Sequence, residues 1–128
     1  MTPIRVFLVE DLASMRDLLN ELFASSKKFR LEGIATTEAE AKLWLDDNPH
    51  GWDLAIVDLI LAQGSGFSVI ERARQVAAHA PIVVFSGYAS AGVAQRCKSL
   101  GATAVIDKAE GDALLKWLDA YLPDSPAA

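Results

Sequence analysis

The sequence has only one cysteine, Cys97. No disulfide can form within the chain, so a reducing, cytoplasmic setting is the expectation. Cys97 lies in a helical pattern beside Ala94 and Leu100 and reads as a small buried hydrophobe. Positive charge is scarce. Twelve Lys and Arg against 17 Asp and Glu leave a net charge of −5 and a pI near 4.9. Nucleic-acid binding by this chain alone needs clustered cations, and the balance argues against it. No apolar run exceeds six residues, far short of the ~20 needed to cross a bilayer. The start, Met1-Thr2-Pro3-Ile4-Arg5, has no apolar stretch before a cleavage site and does not read as a signal peptide. Glycine is sparse where it would carry a motif. No glycine-rich turn follows the first apolar run, which excludes a dinucleotide fingerprint. Gly64-Ser65-Gly66 lacks the flanking glycines of a nucleophile elbow.

What is present is 52% hydrophobic residues in 128, enough for one domain that buries roughly 65–70% of its unfolded surface. Residues 1–122 form that domain, and 123–128 read as a short disordered tail. Five apolar runs alternate with helical patterns: Ile4–Val9, Leu31–Ala35 (interrupted), Leu54–Val57, Ile82–Phe85 and Ala104–Ile106. Near-continuous runs of Val and Ile are the mark of parallel strands buried on both faces. Between the first two, Leu12, Met15, Leu18, Leu19, Leu22 and Phe23 form one helical apolar stripe. Thr37-Glu38-Ala39-Glu40 predicts a capping box opening the second helix, which Asn48-Pro49-His50-Gly51 ends. Phe67, Ile70 and Val76 mark the third helix. Ser90 caps the fourth and Gly101 closes it. Leu114, Leu115, Leu118, Tyr121 and Leu122 form the apolar side of the fifth. The alternation predicts an α/β fold: a flavodoxin-like, doubly wound five-stranded parallel sheet of order 2-1-3-4-5 with helices on both faces. Its ligand site is expected at the carboxyl ends of the first and third strands, where the winding reverses.

Four apolar runs end in polar residues that could meet at that edge: Glu10-Asp11, Asp58, Ser86 and Asp107-Lys108. A strand end is often Asp or Ser because a turn begins there, but four converging positions make a turn-only account weak. Two carboxylates roughly 4 Å apart repel by about 4 kcal/mol at an effective dielectric near 20. Three acids together therefore need a proton or a cation, and hard oxygen donors with open positions suit Mg²⁺. Lys108 could hold an incoming anion as a point charge, and Ser86 could donate a hydrogen bond to it. The set suits a phosphoryl group on or near a carboxylate. Trp44, Trp52 and Trp117 read as core or half-buried, His50 as a solvated turn residue and His79 as a helix end. None sits among the strand-end acids.

The segments "VFLVEDLASMRDLL", "DLAIVDLILAQGSGFSVI", "APIVVFSGYAS" and "GATAVIDKAE" in this order resemble the receiver domains of bacterial two-component response regulators. The resemblance covers about residues 4–122 and is closest to single-domain, chemotaxis-regulator-like members. It implies that Asp58 is the phosphoacceptor, catalysing its own modification with Ser86 and Lys108. It also implies that Asp11 holds Mg²⁺ directly, Glu10 through water and Ile60 through its main-chain carbonyl, with Asp58 as a further ligand. Gly66 matches a small residue in the loop before the third helix. The donor implied is a sensor histidine kinase or histidine phosphotransfer protein. The output is a changed binding surface for a separate protein partner, with no membrane and no nucleic acid involved and the chain a monomer or weak dimer.

Three positions depart from the family pattern: Val105 at the usual aromatic switch, Ala109 after the lysine and Ala62 four residues after the phosphoacceptor. They bear on how a signal leaves the site and favour, as an alternative, a receiver-like module working without phosphorylation. An aspartyl-phosphate hydrolase is a weaker alternative, because Ile60 stands where such an enzyme needs a second acid. With Ala109 in place of proline, the Lys108–Ala109 peptide is expected to be trans, with Glu110-Gly111 absorbing the change in path.

Overall fold

A computed structural model describes residues 2–123. Positions 124–128, most of the expected tail, lie outside the described residues. The elements are β1 (Ile4–Val9), α1 (Ala13–Ala24), β2 (Phe29–Ala35), α2 (Glu38–Asp47), β3 (Leu54–Val57), α3 (Gly66–Val76), β4 (Ile82–Ser86), α4 (Ala91–Leu100), β5 (Ala104–Asp107) and α5 (Gly111–Ala120). A 3₁₀ turn, Lys108–Glu110, joins the last two. The sheet is parallel throughout with the expected order β2-β1-β3-β4-β5.

β1, β3 and β4 are buried along almost their whole length because helices cover both faces. Two cores result. On one face Phe7, Val9, Val57, Val84 and Cys97 pack under α2, α3 and α4. On the other Leu8, Ile56 and Phe85 pack against Leu19 and Phe23 of α1 and Leu114 and Leu118 of α5. The edge strand β2 is longer than expected and begins at Phe29. Its pairing with β1 slips between Val6 and Phe7, so that Leu31 and Gly33 face consecutive β1 residues and Glu32 bulges out. That bulge is why the apolar run looked interrupted. Gly33 is required there, since an added Cβ would lie 2.5 Å from the Trp44 ring. The ring in turn stacks on Phe7 at 4.1 Å between centroids.

The helix ends follow local chemistry. Thr37, Ser65 and Ser90 each cap a helix by accepting from a backbone N–H of its first turn. The expected capping box is half realised. Thr37 Oγ1 accepts from Glu40 N at 3.1 Å, but the Glu40 carboxylate turns back to Thr36. Gly101 closes α4 at φ +120, a conformation that disfavours side chains. The α1 stripe is narrower than its spacing suggested. Leu19 and Phe23 are buried, whereas Leu12 and Leu18 are exposed, because Leu12 precedes the helix as its N-cap and Leu18 lies on its outer flank. Leu122 likewise falls past the end of α5 and is exposed. Trp52 is buried and Trp44 and Trp117 half-buried, as expected. His50 and His79 are exposed, His79 three residues beyond α3 rather than in its last turn.

Candidate functional site

β1, β3, β4 and β5 stop at the same edge, and the residues at or just past their ends meet there. Backbone pairing aligns them: Glu10 N donates to Ala35 O, Asp58 N donates to Val9 O, and Ser86 stands opposite Asp107. Glu10 and Asp58 are 1% and 5% exposed, and Ser86 is fully buried. One ligand oxygen from each of Glu10, Asp11 and Asp58 lies within 4.8 Å of the other two. Lys108 reaches across from β5 and closes the group. Its Nζ is 2.7 Å from Glu10 Oε1 and 2.9 Å from Asp58 Oδ2. The second Asp58 oxygen accepts from Leu59 N at 2.7 Å. Ser86 Oγ accepts from Tyr88 N at 3.3 Å. The structure thus brings Glu10, Asp11, Asp58 and Lys108 together and ends β4 at Ser86 on the same edge, opposite Asp107.

Burial raises Glu10 above the ordinary carboxylate range, and its hydrogen bond from Lys108 only partly opposes that. Burial also works against the Lys108 ammonium, yet the hydrogen bonds to Glu10 and Asp58 outweigh it and raise Lys108. The two shifts point opposite ways for a single ion pair. Burial decides Glu10 because that carboxylate has lost nearly all its water, while Lys108 is less enclosed and faces two acids. Lys108 therefore stays protonated. One ammonium cannot neutralise three carboxylates, so the crevice suits a further cation. An all-oxygen set is the chemistry Mg²⁺ takes.

The loop after Asp58 is built around Gly66. Gly66 N donates to Leu59 O at 2.9 Å, and an added Cβ would lie 2.0 Å from the Asp58 carbonyl oxygen. This close approach of two backbones accounts for the small residue. Ile60 forms an isolated antiparallel bridge with Ser65, and its side chain is 52% exposed. Among the described residues every peptide bond is trans, Lys108–Ala109 included, as expected. Of the expected pair, Glu110 departs from helical geometry, at φ −113 and ψ 58, while Gly111 sits at ordinary helical angles, φ −55 and ψ −33; the 3₁₀ turn carries the chain into α5 while Asp107 Oδ1 accepts from Ala109 N.

Two residues near the crevice were not singled out by sequence. Arg16 Nη1 donates to the carbonyls of Glu10 at 3.2 Å and Asp11 at 2.7 Å, tying α1 to the acidic turn. Glu38, read only as part of a cap, accepts from Ser65 N at 2.9 Å across the sheet edge. Long-range backbone acceptors and donors leave no mark in periodicity.

A doubly wound sheet with an acidic, lysine-bridged crevice at its switch point defines a class of phosphoryl-handling domain. The chain belongs to the response regulator receiver domain family, which matches residues 6–119. This places it, in general terms, in phosphorylation-dependent response-regulator signalling. A search of the curated proteins finds no match. Among solved structures, the non-phosphorylated HemR receiver domain of Leptospira biflexa is 28% identical with a TM-score of 0.80, covering 99% of this chain and 100% of that one. The receiver domain of Thermotoga maritima CheB is 20% identical with a TM-score of 0.82, covering 98% and 100%. CheY of Borrelia burgdorferi, solved in complex with CheX, BeF₃ and Mg²⁺, is 18% identical with a TM-score of 0.82, covering 94% and 90%. No described helix is long and apolar enough to cross a membrane.

Proposed function

We propose that Asp58 takes a phosphoryl group from a phosphohistidine on a sensor kinase or phosphotransfer protein, and that the modified domain presents an altered surface to a separate protein partner. The observation that carries this reading is the Lys108 bridge. One ammonium holds both Glu10 and Asp58, whose carboxylates are almost wholly buried. A carboxylate oxygen of Asp58 attacks phosphorus, a P–O bond forms and the donor's P–N bond breaks; the ring nitrogen takes the electron pair, and the imidazole leaves neutral because its other nitrogen carries a proton. Lys108 then follows the new negative charge, exchanging its carboxylate contact at Asp58 for a phosphoryl oxygen. Ser86, whose Oγ now accepts from Tyr88 N, still has a hydroxyl proton to donate to a second oxygen. Glu10, Asp11, Asp58 and the Ile60 carbonyl would hold Mg²⁺, which when bound supplies positive charge against the phosphoryl oxygens. The domain modifies itself and turns over no separate substrate.

The test is incubation with Mg²⁺ and acetyl phosphate, read by intact mass. One phosphoryl adduct on the wild type, absent in Asp58→Asn, is expected. No adduct on the wild type would leave the phosphorylation-independent module standing, and an undiminished adduct on Asp58→Asn would remove Asp58 from its role.

A further inference from the structure

The segment that carries the chain from Asp58 to α3 is Leu59-Ile60-Leu61-Ala62-Gln63-Gly64-Ser65. It contains no proline to stiffen it, and its one glycine, Gly64, stands at φ +86. Its near end is tied by Gly66 N to Leu59 O and by the Ile60–Ser65 bridge. Its far end is held from outside, by the first residue of α2. Glu38 N donates to Gln63 O at 3.0 Å. The Glu38 carboxylate accepts from Ser65 N through Oε1 at 2.9 Å and from Lys42 Nζ through Oε2 at 2.9 Å. Backbone and side chain of one residue thus grip the loop on both sides of Gly64. The grip is close. A Cβ on Gly64 would lie 2.4 Å from the Glu38 Cβ, so the glycine serves this contact as well as its own backbone angle.

We propose that Glu38 is a positioning residue for the phosphoacceptor site, fixing the loop that presents the Ile60 carbonyl and the Asp58 main chain and so setting how well the crevice holds Mg²⁺ and accepts a phosphoryl group. An acid in a first helical turn is favoured simply by the helix dipole, and Glu40 in the same turn shows the difference. The Glu40 carboxylate is spent on Thr36, next to its own helix, while Glu38 crosses to another element 27 residues away. Lys42, then Ser65 N–H and the Ser68 side chain, hold the Glu38 carboxyl down at about 2, so it is ionised at neutral pH. The strength of the contact does not vary across neutral pH.

This inference rests on the proposed function, and the experiment separates the two. Mg²⁺ affinity by isothermal titration calorimetry and the rate of acetyl-phosphate labelling are measured for wild type, Glu38→Ala, Glu38→Gln, Glu38→Asp and Lys42→Ala, with thermal unfolding of each as the reference for stability. Groups bonded directly to a metal ligand change affinity by about 10- to 100-fold when removed, and Glu38 acts one step further out. A loss of about 3- to 10-fold in Mg²⁺ affinity is therefore expected for Glu38→Ala. Glu38→Gln keeps an acceptor at Ser65 N and should stay close to wild type, although it loses the ion pair. Lys42→Ala should also stay close, since it removes the ion pair alone. Glu38→Asp keeps the charge but is one methylene too short for Ser65, and should behave like Glu38→Ala. It also serves in place of Glu38→Ala if that variant does not fold. A Glu38→Asp protein with wild-type affinity and labelling, or a Glu38→Gln protein as impaired as the alanine variant, would overturn the positioning role and leave only helix-start electrostatics. A wild type that neither binds Mg²⁺ nor is labelled would instead overturn the proposed function itself.

Discussion

Gly66→Ala is a single methyl group placed where two backbones touch, and its cost follows from distances. The new Cβ would lie 2.0 Å from the Asp58 carbonyl oxygen and 2.8 Å from both Asp58 C and Leu59 Cα. All three are main-chain atoms with no rotamer to move. Reaching 3.0 Å, below which Cβ contacts essentially do not occur, requires the start of α3 and the end of β3 to part by 3.0 − 2.0 = 1.0 Å or more. The Gly66 N to Leu59 O hydrogen bond, at 2.9 Å, would stretch out of range. Overpacking of this kind costs about 1–3 kcal/mol and a buried unpaired amide about 1–3 more, which together suggest about 2–6 kcal/mol. For a chain of this length that is roughly 10–20 °C in Tm. Urea unfolding followed by tryptophan fluorescence measures the first quantity, and calorimetric Mg²⁺ titration reads the displacement of Asp58. Gly92→Ala in α4 is the control. Nothing lies within 4 Å of its Cβ position, so removing a helical glycine there should stabilise by about 0.5–1 kcal/mol. If Gly66→Ala unfolds at the wild-type urea concentration and binds Mg²⁺ as tightly, the close approach of these two segments is not what the structure says it is.

Lys108→Ala leaves Glu10 and Asp58 facing each other without the ammonium. It should destabilise the metal-free protein by about 3–5 kcal/mol at neutral pH, bind Mg²⁺ more tightly because no internal cation competes, and label with acetyl phosphate more slowly. Weaker Mg²⁺ binding in the variant would contradict the competition. Ile60→Asn replaces an exposed apolar side chain beside Asp58 with a carboxamide that can orient water. Decay of the phosphorylated form should accelerate by about tenfold, and an unchanged decay by intact mass against time would show that the Ile60 side chain does not limit attack by water. Asp53 is held below the ordinary carboxylate range by hydrogen bonds from the Arg5 side chain and backbone. A depressed carboxylate stabilises the fold above the unfolded pKa of about 3.9, and that contribution disappears as pH falls through the folded value. Wild type and Asp53→Asn should therefore differ by a constant, small amount above pH ~5, with the gap closing in acid. A gap that persists in strong acid would mean the pair is not the cause.

The parts of this molecule that were legible in sequence are those buried on two sides. β1, β3 and β4 were bounded within a residue because, Arg5 apart, they run apolar up to the carboxyl end, and the polar residue there marks where the sheet meets water. The same rule delivered Glu10, Asp58 and Ser86, whose burial makes their polarity conspicuous. β2 was shortened because an edge strand with a bulge at Glu32 has no continuous pattern to read. The α1 stripe was overcounted because periodicity ranks a residue by its angle on the helix and cannot see which flank the sheet leaves uncovered, as at Leu18. Arg16 and Glu38 were missed for a different reason. Each binds main-chain atoms of another segment, and such partners carry no residue type that a sequence could display.

The path from β5 into α5 shows how a missing proline is tolerated at the site. Lys108 follows a strand whose last residue, Asp107, pairs with Ser86. The register of β5 against β4 therefore sets the height of the lysine's Cα at the crevice before any turn geometry enters. Asp107 then caps the 3₁₀ turn through Ala109 N, which satisfies an amide that proline would not have had. The lysine's own four-carbon stem completes the reach to Glu10 and Asp58, at 2.7 and 2.9 Å. Aim at Asp58 thus comes from strand register and side-chain length, and Ala109 with a trans bond is compatible with both. Ala109 is exposed in the 3₁₀ turn before α5, Val105 is half-buried on β5 against the α4-side core, and Ala62 is exposed in the loop after Asp58, so none of the three departures from the family pattern removes a polar group from the crevice.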